Sequence, residues 1–330
     1  MPLINNYYGN VSTPQLCKQV DNFKGVIAPG LKALLTWSAP IKDEDNSFVG
    51  ARIVRKIGSA PINVNDGTVV YEGTKLNYTD TDLIEGTTYY YRAFAYNIKT
   101  TYQTAMRVVS MTAISYESNF ADNTWDLIIA ACHSGSVPDT WVAGDSKTMT
   151  IDGVNYQLDI VGKNHDAYTA GGIAPLTFGL HDCYGTKYPM NSSNTNSTGW
   201  DGSKMRTETL PEILAKMPEN IQNGIRAVNK LTATSGSSST IKTASDKLFI
   251  FSEMEVYGST SYSYSGEGKQ YDYYKAGNSK VKNVGSTASW WWLRSPRKNG
   301  SGSFCAVAPS GSVGSSAAGS SNGVCFGFCF

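Results

Sequence analysis

The chain has 330 residues, more than one domain commonly holds, so two domains are expected. Its 28 Lys and Arg nearly balance 27 Asp and Glu, leaving a net charge of +1 and no basic run, which argues against a nucleic-acid partner. No apolar stretch is long enough for membrane insertion. An abundance of Tyr, Trp, Ser, Gly and Asn favours β-structure and recognition surfaces over helical enzymes.

The first 29 residues read as an N-terminal segment. Met1-Pro2-Leu3-Ile4-Asn5-Asn6-Tyr7 lacks the basic-then-apolar pattern of a signal peptide, so none is expected in the sequence as given, which fits a protein made in a cytoplasm. Residues 30–113 read as short strands divided by turns. Leu31 to Trp37 forms a strand, followed by a polar turn at Lys42-Asp43-Glu44-Asp45-Asn46. Ala51 to Ile57 alternates at period two, and Asn65-Asp66-Gly67 marks a turn before Thr68-Val69-Val70-Tyr71. Thr87 to Tyr96 is a longer strand with Tyr89, Tyr91, Ala93 and Ala95 on one face. Strands at this spacing predict an all-β sandwich of the immunoglobulin kind.

Residues 114–124 read as a linker, and Trp125-Asp126-Leu127-Ile128 opens a second domain running to Phe330. Lys147 to Val161 predicts a hairpin turning at Asp152-Gly153. A helix is expected over 203–216 with Leu210, Ile213, Leu214 and Met217 on one face, and a second after Pro218 with Ile221, Ile225 and Val228 inward. Leu248-Phe249-Ile250-Phe251 is a short buried strand, and Phe304 to Val307 and Gly323 to Phe330 return to β. The second domain is thus expected to be α+β, with helices in the middle and strands at both ends, its terminal strands pairing.

Chemistry-bearing residues are few. Cys17, Cys132, Cys183, Cys305, Cys325 and Cys329 show no metal-site spacing and read as buried thiols, although their even number leaves disulfides open. His165-Asp166 and His181-Asp182 place an acid beside an imidazole, but strand neighbours face opposite ways, so structural histidines are expected. The acids around Ser252-Glu253-Met254-Glu255 and Glu267 are expected to accept from loop amides. No glycosidase or calcium role is assigned; no spacing indicates calcium, and no cofactor is expected. Trp290-Trp291-Trp292 is read as core, with Trp291 the one ring that strand alternation could expose. Arg294 is expected to reach a buried carboxylate or loop carbonyls and hold its strand to the frame. The tract 190–200, rich in Asn, Ser and Thr, reads as a loop.

Several segments together resemble the C-type-lectin-like variable proteins diversified by retroelements, in the branch of phages and gut bacteria. They are Trp141-Val142-Ala143-Gly144-Asp145, Gly199-Trp200-Asp201-Gly202-Ser203, Asp246 to Glu255, Trp291-Trp292-Leu293-Arg294-Ser295-Pro296 and Gly323-Val324-Cys325-Phe326-Gly327-Phe328. Leu35-Thr36-Trp37-Ser38-Ala39-Pro40 and Tyr78-Thr79-Asp80-Thr81 likewise resemble a fibronectin type III module. The resemblance implies a C-type-lectin-like domain over 125–330 with a variable region at about 294–330. Adenine-templated mutation of Asn codons reaches Ser, Gly, Ala, Arg, Val, Cys and Phe but not Lys, Glu, Gln, Met or Trp. After Pro296 only Lys298 is of an unreachable type.

The implied ligand-binding positions are Arg297, Asn299, Ser301, Ser303, Ala306, Ala308, Ser310, Ser312, Ser315, Ser316, Ala317, Ser320 and Ser321. Phe304, Val307, Val313, Val324, Phe326 and Phe328 form the frame. The expected protein is a non-enzymatic adhesin of a phage tail tip or fibre, binding a host cell-surface protein or glycan. It would meet other tail proteins through its N-terminal module and form a homotrimer. A bacterial cell-surface adhesin is the alternative. A formylglycine-generating-type enzyme on the same fold is a further one, and would need Cys325 and Cys329 to be reactive and solvent-facing.

Overall fold

The computed structural model describes residues 18–28, 30–40, 48–98, 100–103 and 107–330. The N-terminus through Cys17 and the predicted polar turn at 42–46 lie outside the described residues. The chain divides into two compact units, Met1–Tyr116 and Glu117–Phe330.

The first unit is a β-sandwich. Strands β1 (Asp21–Ala28), β2 (Lys32–Ser38) and β5 (Asn77–Asp80) form one sheet in the order β1-β2-β5. Strands β3 (Phe48–Ile57), β4 (Thr68–Gly73), β6 (Thr88–Asn97) and β7 (Val108–Thr112) form the other, in the order β4-β3-β6-β7. All pairings are antiparallel. Period-two alternation drives the packing: in β2, Ala33, Leu35 and Trp37 are buried while their neighbours face water, and Tyr89, Tyr91, Ala93 and Ala95 of β6 are buried as predicted.

Two polar contacts pin this sandwich. The Ile84 amide donates to the Tyr89 hydroxyl at 3.0 Å, tying the turn before β6 to that strand. The buried Tyr91 hydroxyl donates to Asp80 at 2.8 Å, and Arg55 holds the same carboxylate oxygen at 2.9 Å. This is the all-β sandwich expected, with one boundary corrected. The sandwich begins at Asp21, not residue 30. Strand β1 was illegible because Asn22 adopts a left-handed φ of 53° and a register shift between Asp21 and Lys24 breaks its alternation.

The second unit begins inside the predicted linker. Phe120 lies in a 3-10 turn, Phe120–Asp122, and is buried 5.4 Å from the Trp141 ring and 6.0 Å from Phe178. Helix α1 (Trp125–Ser134) follows, with Thr124 capping the Leu127 amide at 3.3 Å and Gly135 closing it in the left-handed region. Strands β8 (Ser146–Ile151) and β9 (Val154–Lys163) form the predicted hairpin, and β10 (Leu176–Leu180) pairs with β9. Strands β11 (Tyr188–Pro189), β12 (Val228–Ser235) and β13 (Ser238–Asp246) and helices α2 (Leu210–Leu214) and α3 (Glu219–Gly224) come next, α2 continuing a π-helical turn at Met205–Thr209. Leu210, Ile213, Met217, Ile221, Ile225 and Val228 are buried as predicted, while Leu214 is only half-buried.

The C-terminal third supplies β14 (Phe249–Ile250), α4 (Glu253–Tyr257), α5 (Asp272–Lys275), β15 (Asn283–Val284) and β16 (Thr287–Ala288). It ends with β17 (Trp291–Pro296), β18 (Ser303–Val307), β19 (Val313–Ala317), β20 (Ser321–Asn322) and β21 (Phe326–Cys329). The last strand enters the main sheet between β14 and β10, in the order β14-β21-β10-β9-β8, so the chain end is a central strand. Phe328 and Phe330 pack on Phe178 from there. A second sheet runs β17-β18-β19.

Two expectations for this unit are corrected. Helices are not confined to its middle: the longest, α1, opens it, and strands dominate throughout. Trp290, not Trp291, is the partly exposed ring, because both faces of β17 are covered. The Trp291 and Trp292 indoles donate to the Lys280 and Tyr188 carbonyls at 2.9 and 2.8 Å.

Replacing Tyr91 with Phe removes the short hydrogen bond to the buried Asp80 carboxylate while keeping the ring. We expect a loss of about 1.5–3 kcal/mol in the stability of the first unit, read by urea denaturation of the full chain. An unchanged midpoint would show that Arg55 alone satisfies Asp80.

Candidate ligand-binding face

The face is built on β17, and β17 is held by one buried guanidinium. Arg294 has no exposed surface. Its Nη1 and Nη2 meet the two oxygens of Glu255 at 2.5 and 2.7 Å, a bidentate pair. The same side chain donates to the carbonyls of Leu231, Ile250 and Glu267. Glu255 also accepts from Lys230 at 2.7 Å, and Lys230 in turn reaches Asp166 at 2.7 Å and the Tyr271 hydroxyl at 2.9 Å. Five segments of the fold therefore converge on one charge network. The predicted role of Arg294 is what the structure shows.

Burial pushes the Asp166 carboxyl upward, but the Lys230 ammonium and the hydrogen bonds from Lys230 and Thr177 outweigh it and hold the group at about 2. Burial acts the same way on Glu255, and Arg294 and Lys230 outweigh it to hold that carboxyl low. Glu267 is raised, because burial dominates there; its Oε1 accepts from the Ala233 amide at 2.8 Å. A cleft of about 510 Å³ opens over this cluster, lined by His165, Asn229, Lys230, Thr243, Glu255 and Lys269 among others. The Lys230 ammonium at its floor is paired on two sides, which leaves no free amine for nucleophilic chemistry. His165 stacks on Tyr271 with ring centres 4.0 Å apart, and His181 pairs with Asp159 at 2.8 Å, so neither imidazole joins the acid next to it in sequence.

Two further devices carry the frame outward. The buried Glu253 carboxylate accepts from the amides of Ser261, Tyr262 and Ser263, at 2.5 to 3.1 Å, fixing that loop. Tyr262 then accepts from the Lys298 amide at 2.8 Å. Asn196, fully buried, donates to the carbonyls of Arg297, Gly300 and Ser303, and its own amide donates to Ser301. Gly236 sits so close that a Cβ there would lie 2.1 Å from the Gly300 carbonyl oxygen. The 297–302 turn is thus clamped from beneath, with its side chains outward.

Of the predicted ligand-binding positions, Arg297, Asn299, Ser301, Ser310, Ser312, Ser320 and Ser321 are exposed, and Ser303, Ala308, Ser315, Ser316 and Ala317 are half-buried. Ala306 is the correction. It has no exposed surface, because β18 is the central strand of its sheet, paired with Trp292 on one side and Gly314 on the other. Phe304, Val307, Val324, Phe326 and Phe328 are buried as frame; Val313 is half-buried.

The exposed positions form two groups. Ser303 pairs with Ala317, so the 297–302 turn and Ser320 and Ser321 share one end of the sheet, where Asn194 also accepts from Gly319. Ser310 and Ser312 occupy the other end, roughly 17 Å away across a five-residue strand. The edge strand β19 joins them. Asn299 has a φ of 58°, a conformation that Asn tolerates and β-branched residues resist.

Sequence reasoning missed three contributors. Asn196 stood in an Asn/Ser/Thr tract where nothing distinguished it from Asn191 or Asn194. Gly236 carried no signal beyond being a glycine in a turn. Trp290 leaves part of its ring exposed and lies over Gly314, where a Cβ would meet it at 2.9 Å; it adds an aromatic surface beside β19. Among the described residues, no group of three or more His, Cys, Asp or Glu side chains could hold a metal ion. No helix among them is long and apolar enough to cross a membrane.

A protein-family profile described as a domain of unknown function (DUF6273) matches residues 176–329, from β10 to β21. No curated protein matches the chain. Similar solved structures include a fibronectin type III domain of human fibronectin type III domain containing protein 3, at 19% identity over 34% of this chain and 99% of that one, with a TM-score of 0.27. A Fn3-like protein from Clostridium thermocellum is 20% identical over 31% of this chain and 97% of that one, with a TM-score of 0.24. A computationally redesigned β-sandwich protein is 24% identical over 31% of this chain and 95% of that one, with a TM-score of 0.25.

Two predictions follow from the geometry of the face and its frame. Asn196→Ala leaves three carbonyls without their shared donor and should lower stability by about 2–3 kcal/mol, whereas Ser312→Arg or Ser320→Arg should stay within about 0.5 kcal/mol in denaturant titrations. Asp166 has a depressed folded pKa, so its contribution is complete above about pH 4 and is lost as pH falls toward 2. Acid unfolding followed by Trp fluorescence should therefore steepen in that window, and Asp166→Asn should flatten it by roughly one proton.

Proposed function

We propose that the chain is a recognition protein whose second unit presents the turns at 297–302, 308–312 and 318–321, joined by the β19 edge, to a macromolecular ligand. In this reading the second unit is a C-type-lectin-like domain of the retroelement-diversified kind. It is carried on a phage tail tip or fibre, and the ligand is a host cell-surface protein or glycan. The fibronectin-like module would connect it to other tail proteins, and several copies would act together, a homotrimer being the expected assembly.

One observation carries this reading. Every predicted contact position except Ala306 keeps exposed surface, while the segments bracketing them are buried and held by Arg294, Glu253 and Asn196. Side chains at the turns can change with little effect on the frame. No Asp or Glu occurs after Glu267 except Asp272, so the tract beyond Pro296 offers Arg297 and Lys298 amid small polar groups. Such side chains bury little area per contact, and useful avidity then comes from several linked copies.

The enzyme reading has less support. It needs a reactive, solvent-facing pair at Cys325 and Cys329. Both thiols are fully buried, and burial pushes both well above the ordinary cysteine range, away from the nucleophilic thiolate.

The full chain, displayed in several copies on fluorescent beads, tests the proposal against a panel of gut-bacterial cells and a glycan array. Saturable binding to at least one target is expected. A Ser301→Trp/Ser320→Trp double variant should weaken it at least tenfold with Tm held within about 3 °C. Binding that survives in the double variant, or that maps to the first unit alone, would sink this face as the binding surface.

A further inference from the structure

Cys183 and Cys325 are far apart in sequence, separated by 142 positions, yet their sulfurs lie 2.7 Å from each other. Two unbonded sulfurs do not ordinarily rest so close. The backbone sets this meeting. Cys183 follows β10, and Cys325 precedes β21, which pairs with β10. The next residues along are joined directly, the Tyr184 amide donating to the Val324 carbonyl at 2.8 Å. The two segments therefore run side by side, with both cysteine side chains turned into the gap between them.

The pair is tightly packed on the Gly323 side. A Cβ at Gly323 would lie 2.6 Å from the Cys183 sulfur, so glycine is needed beside the pair. Cys183 is anchored from the other side by its amide, which donates to Asn283 at 2.9 Å. Both residues are buried, and among the described residues no group of three or more His, Cys, Asp or Glu side chains could hold a metal ion there. Cys132, Cys305 and Cys329 are buried as well.

We propose that Cys183 and Cys325 form a disulfide that staples the last strand of the fold to β10 once the protein meets an oxidising environment. The step is thiol–disulfide exchange. The Cys183 or Cys325 thiolate attacks a low-molecular-weight disulfide such as oxidised glutathione, forming a mixed disulfide and releasing one glutathione thiol. The second cysteine then displaces the other, so two thiols lose two protons and two electrons, and the oxidant is reduced to two thiols. Burial keeps the Cys325 thiol protonated in the folded chain, so the bond is made while the chain folds or the segment opens.

The position of the bond gives it a consequence. The closed loop runs from 183 to 325 and contains Lys230, Glu255 and Arg294 of the charge network and all three turns of the proposed binding face. Closing so long a loop restrains the unfolded chain strongly. The staple is therefore a device for holding the face together outside a reducing cytoplasm, without any contact on the face itself.

Refolding the full chain from denaturant in oxidised or reduced glutathione tests this. Free thiols are then blocked with iodoacetamide and the digest is read by mass spectrometry. The oxidised sample should yield a peptide pair linking Cys183 to Cys325, and its Tm should exceed the reduced sample's by about 10 °C. A Cys183→Ala/Cys325→Ala variant should fold with a Tm that no longer responds to redox buffer. Both cysteines alkylated after oxidative refolding, or a redox response that persists in the double variant, would overturn the proposal. Loss of ligand binding on cells would leave this result untouched, so the two readings fail separately.

Discussion

The second unit depends on burying a positive charge. Arg294 sits in a strand whose every residue is buried, and a guanidinium there is tolerable only if all its donors are satisfied. Glu255 supplies a matched pair of acceptors and three backbone carbonyls supply the rest. Removing one partner from such a pair typically costs about 3–5 kcal/mol, because the other charge is stranded. The pair therefore specifies where β17 lies relative to α4, β12 and β14, and everything after β17 is placed from it.

That constraint separates two kinds of position in the closing tract. Residues on β17, β18 and β21 are packed on both faces, so a change of one methyl group is felt. The exposed residues of the 297–302 turn are held through their backbone, which Asn196 and the loop held by Glu253 grip by carbonyls and amides, whereas Ala318 of the 318–321 turn is itself buried. Backbone contacts are indifferent to side-chain identity. Ala306 shows the rule from the other side: its composition matches the turn residues, but its place in a central strand makes it frame.

Much of this was legible from residue types. Arg294 beside Trp and Pro in an apolar run had to find a buried acceptor, and Glu253 accepts from loop amides as expected, whereas Glu255 instead pairs with Arg294 and Lys230. Tyr89, Tyr91, Ala93 and Ala95 announced their face by alternation. Other elements were hidden for physical reasons. Strand β19 is Val-Gly-Ser-Ser-Ala, with little intrinsic β preference, and exists because β18 offers it a partner. The β12–β13 hairpin is rich in Ser, Thr and Lys and lacks a clean apolar alternation. Trp290 and Trp291 exchanged their expected exposure because period-two reasoning assumes one wet face, and β17 has none. Asn196 depends wholly on tertiary context, which no local pattern encodes.

If a rigid frame carries a surface free to change, natural variation should fall on the turns and spare the buried strands. Deep sequencing of the 3′ coding region across a natural population tests it most directly. Amino-acid variation is expected to concentrate at Arg297, Asn299, Ser301, Ser310, Ser312, Ser320 and Ser321, with adenine as the varied template base, while Trp291, Arg294, Phe304 and Ala306 stay constant. An invariant tract, or substitutions spread evenly over turns and buried strands, would contradict it.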